Sequence, residues 1–166
     1  MCNRKNWIAV TIVFLSLVMF IPVAQAQRQD FESRKCYVQI LNVITSSPEL
    51  NIFTYDQKGI LQSAHESKLF DNWTDHTVGV VKVIGGKATW NGFAKETAPD
   101  VEFIIWEFYG DSESKTTTGK AIYGTGKWKN VKGERKTSTI ASGRPLVPNS
   151  TLTMCLKVVG WIELPK

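Results

Sequence analysis

Two histidines, His65 and His76, are the only imidazoles available as bases near neutral pH. Both fall in one stretch, His65-Glu66-Ser67-Lys68-Leu69-Phe70-Asp71-Asn72-Trp73-Thr74-Asp75-His76. Their spacing from each other and from Glu66, Asp71 and Asp75 matches no compact ligand motif, so no metal is expected and the histidines read as exposed loop residues. There is no Gly-x-Ser-x-Gly, and no serine cluster carries a neighbouring histidine, which removes support for a Ser-His-Asp hydrolase. Glu102 and Glu107 are the more informative carboxylates. They stand in the apolar run Val101-Glu102-Phe103-Ile104-Ile105-Trp106-Glu107-Phe108-Tyr109 on opposite parities, so one of them is placed to face an interior. Burial there would raise its pKa and make it a general acid or a ligand anchor. With Trp90, Phe103, Ile105, Trp106, Phe108 and Tyr109, these two carboxylates form the candidate lining of a small-molecule pocket.

A second set of residues is cationic. From Lys115 to Arg144 eight basic side chains face Glu134 alone, whereas Gln27 to Ser114 carries thirteen acids against eight bases. Lys127, Trp128, Lys129, Lys132, Arg135 and Lys136 are the candidate contacts to an anionic polymer or a membrane surface, since such contacts add with each neutralised charge. A strand pattern would split them between two faces, and a solvated loop face is the plainer reading. One interleaved tryptophan does not make a nucleic-acid site, and no nucleic-acid partner is expected. The glycines at Gly119, Gly124, Gly126 and Gly133 do not form a phosphate loop. Lys129 stands where a dinucleotide fingerprint needs glycine, and Trp128 where a P-loop needs Ser or Thr. They read as a tight turn at a barrel corner, and no cofactor is expected.

Short β-like runs must position these groups. Strands are expected over 36–44, 50–55, 77–84, 88–95, 101–109, 118–123, 136–142 and 151–164, after a loosely held polar arm over 27–35. Gly85-Gly86 is a two-residue hairpin signal, and Gln57-Lys58-Gly59 and Gly110-Asp111-Ser112 read as further reversals. Only 66–72 has any claim to a helix. The last run alternates, with Leu152, Met154, Leu156, Val158, Gly160, Ile162 and Leu164 on one face, and a strand of that length bends, with Gly160 the natural place. The apolar run 101–109 reads as a strand covered on one face and lining an interior on the other. About eight strands without helices predict an all-β fold, an antiparallel closed barrel, with a β-sandwich as the alternative.

Compartment follows from the first residues. Arg4 and Lys5 precede an uncharged apolar run from Trp7 to Val23, and Ala24-Gln25-Ala26 supplies small residues at a cleavage site. Residues 1–26 are therefore expected to be a signal peptide cut after Ala26, leaving one domain over 27–166 that is secreted or periplasmic. Cys36 and Cys155 remain, and an oxidising compartment predicts a disulfide between them. Asn72-Trp73-Thr74 and Asn149-Ser150-Thr151 fit the N-glycosylation acceptor pattern. At 166 residues, 43% apolar and 21% charged, the chain can bury a core but is too short for a multidomain enzyme.

Gly124-Thr125-Gly126-Lys127-Trp128, followed by Val131 and Gly133, resembles the Gly-Thr-Gly-x-aromatic signature of the allene oxide cyclase and dirigent barrel families. In those families, too, a strand precedes the glycines and another follows them. The resemblance implies a barrel, and an activity drawn from isomerising cyclases or from proteins that steer radical coupling without being oxidants. This sequence departs from the pattern at Tyr123, where a further glycine is common, and in its paired cysteines. No functional residue carries over. The sequence reading is thus an exported barrel binding a small, largely apolar molecule without catalysis. A cyclase or isomerase working inside the barrel and a binder of anionic surfaces through 115–144 are the alternatives.

Overall fold

The computed structural model describes residues 27–145 and 151–164. The expected signal peptide over 1–26 lies outside them, as do Asn149 and Ser150 of the second glycosylation triplet. Eight strands run in chain order: β1 (Gln27–Ser46), β2 (Leu50–Ser63), β3 (Trp73–Ile84), β4 (Lys87–Thr97), β5 (Phe103–Asp111), β6 (Thr117–Gly124), β7 (Lys132–Gly143) and β8 (Leu152–Leu164). Each pairs antiparallel with the next, and β8 returns to β1, so the sheet closes into a barrel without a free edge strand. The sandwich alternative is thereby excluded. All eight expected strands exist, mostly longer than their sequence signal.

Three local expectations are corrected. The arm over 27–35 is the first half of β1, paired with β8 from Gln27↔Leu164 to Cys36↔Cys155. Its polar composition hid an alternation in which Phe31, Ser33, Lys35 and Tyr37 are buried and their neighbours are not. Gln57-Lys58-Gly59 is no reversal. Pairing with β1 on one side and β3 on the other carries the extended backbone straight through it, tertiary pairing overriding local turn propensity. Residues 66–72 form turns rather than a helix, and among the described residues the one helical turn is a 3-10 turn at Gly126–Trp128, inside the glycine motif.

Other expectations stand. Gly85 and Gly86 both take positive φ, 55° and 79°, in the tight β3–β4 turn. Gly110-Asp111-Ser112 closes β5 into its turn. On β8, Val158 and Ile162 are fully buried, which sets the expected face inward. Cys36 and Cys155 are cross-strand partners and form a disulfide, with Cα atoms 4.1 Å apart. The bond staples the first strand to the last across 119 positions, and a crosslink of that span suits an oxidising compartment.

One end of the barrel is filled. The loop between β2 and β3 carries Phe70 into it, and Phe70 packs edge-on against Phe31 (4.6 Å between centroids) and Trp73 (4.8 Å). Trp73 in turn meets Trp128 at 5.1 Å. With Leu61, Ile104, Trp106, Val131 and Ile162 these rings form the hydrophobic core. Each such aromatic pair adds about 0.5–1.5 kcal/mol beyond area burial.

Candidate functional site

The other end of the barrel is hollow. A cavity of about 720 Å³ opens there, walled by Tyr37, Tyr55, Trp90, Phe108, Met154 and Leu156 among others. Strand parity places these groups: β1 turns Tyr37 and Gln39 inward, β2 Tyr55 and Gln57, β4 Trp90, β5 Phe108. Two glycines make the hollow. A Cβ on Gly79 would stand 2.4 Å from the Tyr55 hydroxyl oxygen, and one on Gly110 would stand 2.3 Å from Trp90 Nε1. Both rings therefore lie back against bare wall instead of crossing the lumen.

The polar groups of the wall are tied in place. Gln57 Nε2 donates to Gln39 Oε1 at 2.6 Å, Trp90 Nε1 to Thr117 Oγ1 at 2.8 Å, and the Tyr37 hydroxyl to Met154 Sδ at 3.1 Å. Burial pushes the Tyr37 phenol well above its ordinary range, with the negative charge of Asp75 adding to it. The Tyr55 phenol is pushed up in the same way, by burial first and by Tyr37 second. Both are neutral hydroxyls throughout the physiological range.

Beneath the cavity lies a layer of buried charge. Lys35 Nζ sits 2.7 Å from Asp75 Oδ1, and Thr77 Oγ1 accepts from Lys35 (3.0 Å) while donating to Asp75 (2.9 Å). Across the lumen Arg135 is bonded to Glu96 and lies over the Trp106 ring, 4.4 Å from its centroid. Asp75 and Glu96 are direct cross-strand partners on β3 and β4, which joins the two pairs into one layer. All four side chains are at most 5% exposed. Buried ion pairs of this kind add little to stability compared with apolar packing, which makes the layer a functional candidate.

The expected pocket residues divide. Trp90 and Phe108 line the cavity, and Trp106 is wholly buried below it. Phe103, Ile105, Glu107 and Tyr109 point outward, because Ile104 and Trp106 set the inward parity of β5. Glu102 precedes β5 and accepts the Lys127 backbone N–H at 3.2 Å. Neither expected anchor carboxylate is therefore inside. The interior acids are Asp75 and Glu96, which the sequence reading does not select, nor does it select Lys35, Tyr37 and Tyr55; Arg135, expected as a contact to an anionic surface, is the fourth charged group of the interior. The signal for them was alternation: Phe31-x-Ser33-x-Lys35-x-Tyr37, Trp73-x-Asp75-x-Thr77 and Ala94-x-Glu96-x-Ala98 each hold polar residues in phase with apolar ones.

The cationic set divides too. Trp128 is buried in the core and Arg135 in the charge layer, while Lys129, Lys132 and Lys136 are exposed and Lys127 pairs with Asp100 at 2.7 Å. His76 faces outward toward Asp56 (3.2 Å), on the opposite side of β3 from Asp75. Among the described residues no group of three His, Cys, Asp or Glu side chains is placed to hold a metal ion. A second hollow, of about 800 Å³, is a groove on the outer wall between Tyr109, Lys120, Glu134 and Trp161. It is more open to solvent than the internal cavity, and its charges alternate Glu107, Lys120, Glu134 across paired strands.

No family model and no curated protein matches the chain. Solved structures do match. The structure titled that of the pterocarpan synthase dirigent protein GePTS1 superposes with a TM-score of 0.56 at 7% identity, covering 86% of this chain and 93% of its own. That of the pterocarpan synthase dirigent protein PsPTS1 gives 0.54 at 10% identity, covering 86% and 99%. At these identities the likeness is one of architecture: this closed eight-stranded barrel is similar in fold to those of the two dirigent proteins.

Proposed function

We propose that the protein is an exported, non-catalytic barrel that holds a small, largely apolar molecule in its internal cavity. The observation that carries this reading is the cavity itself: about 720 Å³, walled by four aromatic rings, with neutral hydroxyl and amide groups fixed between them. That volume and mixture suit a ligand pocket. The mature protein purified from its own host tests it, by native against denaturing mass spectrometry. A stoichiometric extra mass, lost from a Thr137→Trp variant that fills the cavity, is the expected result. A bare chain that also leaves Trp90 fluorescence unchanged on titration with naphthalene derivatives refutes the reading.

A second reading, a cyclase or isomerase working inside the barrel, is favoured by one observation. The buried Asp75–Thr77–Lys35 and Glu96–Arg135 groups lie directly under the cavity, and Thr77, Lys35 and Arg135 reach its lining, where a bound molecule would meet proton donors backed by the two carboxylates. The similar structures carry the word synthase in their names. Turnover of a bound molecule that Asp75→Asn abolishes while leaving its binding intact separates this reading from the first.

A further inference from the structure

We infer that the molecule held in the cavity is an acid: an aromatic ring system carrying a carboxylate, with the carboxylate seated on Arg135 and Lys35. The inference rests on the cavity reading above and adds the chemical class of the ligand.

The sign of the lining decides it. Among the described residues the cavity wall contains three cations, Lys35, Arg135 and Lys115, and no Asp or Glu. Asp75 and Glu96 lie outside that lining, so a ligand meets the cations of both ion pairs rather than the acids. The donors are also incompletely used. A guanidinium has five N–H donors, and among the described residues Arg135 makes one side-chain hydrogen bond, through Nη1 to Glu96. An ammonium has three, and Lys35 makes two contacts, to Asp75 and Thr77. A carboxylate supplies the acceptors both lack, in the planar geometry a guanidinium fork prefers.

The walls point the same way. Tyr37 and Tyr55 are neutral and offer no negative charge to repel an anion. The aromatic faces of Tyr37, Tyr55, Trp90 and Phe108 suit a flat ring system above the carboxylate. Lys115 is exposed in the β5–β6 turn at the rim of the cavity, where a single positive charge raises the encounter rate of an anion at low salt.

A matched pair of probes tests the assignment: naphthalene-2-carboxylate and its neutral carboxamide, titrated by calorimetry into the disulfide-intact mature protein. The acid is expected to bind at least tenfold more tightly than the amide. The preference should fall severalfold in the Arg135→Gln/Glu96→Gln double variant, which removes one of the two seating cations without leaving a lone buried carboxylate. Lys115→Gln, an exposed change that spares the fold, should weaken the acid two- to threefold at low salt and leave the amide unchanged. Equal affinity for the two probes, or tighter binding of the amide, overturns the carboxylate assignment and leaves the cavity reading standing. No binding of either probe at millimolar concentration overturns both.

Discussion

Replacing Lys35 by Met tests whether the buried charge layer is built as the structure shows it. The substitution keeps the length and apolar stem of the side chain and removes only the ammonium. Asp75, whose side chain has no solvent exposure, then loses its 2.7 Å partner and keeps only the Thr77 hydroxyl. Breaking a buried pair from one side costs about 3–5 kcal/mol, because the remaining charge is uncompensated. For a domain of this size that corresponds to a fall in Tm on the order of 10–20 °C. The double variant Lys35→Met/Asp75→Asn removes both charges and leaves an amide that can bond Thr77. It should lie within about 1 kcal/mol of the parent, since a neutral replacement avoids the desolvation of two ions. Urea unfolding followed by tryptophan fluorescence measures both. A single variant as stable as the parent, or a double variant as damaged as the single, refutes the reasoning, since either outcome means the two groups do not depend on each other.

Three further outcomes are expected. Val101 is 80% exposed with φ of 66°, a left-handed conformation that a β-branched residue adopts at a cost, so Val101→Gly should raise stability by about 1 kcal/mol in the same urea assay. Paired Cys36→Ser and Cys155→Ser changes release a loop of 119 positions and should cost up to about 5 kcal/mol by chain entropy, read as a lower urea midpoint. Tyr37 and Tyr55 have raised phenol pKa values in the folded state, so stability is fully present below the unfolded tyrosine value of about 10 and is lost as the pH rises above it. Absorbance at about 295 nm should show two of the four tyrosines ionising only with unfolding, and a single titration of all four near pH 10 would contradict their burial.

The barrel was legible because its signals are local. The alternation of β8 from Leu152 to Leu164, the Gly85-Gly86 turn and the paired cysteines at the two ends each specify structure within a few residues or through covalent chemistry. The site was only half legible. Trp90 and Phe108 are legible in the sequence, but Glu102 and Glu107 stand out ahead of Asp75 and Glu96 because they interrupt the apolar run 101–109. That run is apolar on both parities, so its sequence does not say which parity faces in. Ile104 and Trp106 take the interior. Phe103 is covered on the outside by Lys95 at 4.3 Å and by Tyr123 at 6.0 Å. The interior charges were hidden for a different reason. Lys35 and Asp75 lie on β1 and β3, and Glu96 and Arg135 on β4 and β7, so each pair exists only once the sheet has closed.

Closure also explains why the two ends of one barrel differ. In an eight-stranded barrel the lumen is just wide enough for inward side chains to fill it, and at the closed end Phe31, Phe70, Trp73, Trp106 and Trp128 do so. At the open end the inward positions include Gly79 and Gly110 beside Tyr55 and Trp90, so the large rings are accommodated in the wall and the lumen stays empty. Between the two ends the charge layer separates core from cavity. A core continued upward would need neither glycine at those positions nor Lys35 and Arg135 facing the space. The hollow is therefore specified by the same alternation that builds the strands, and filling it at Thr137, level with Gly110 across Thr117, is the change that should remove binding while leaving the core below untouched.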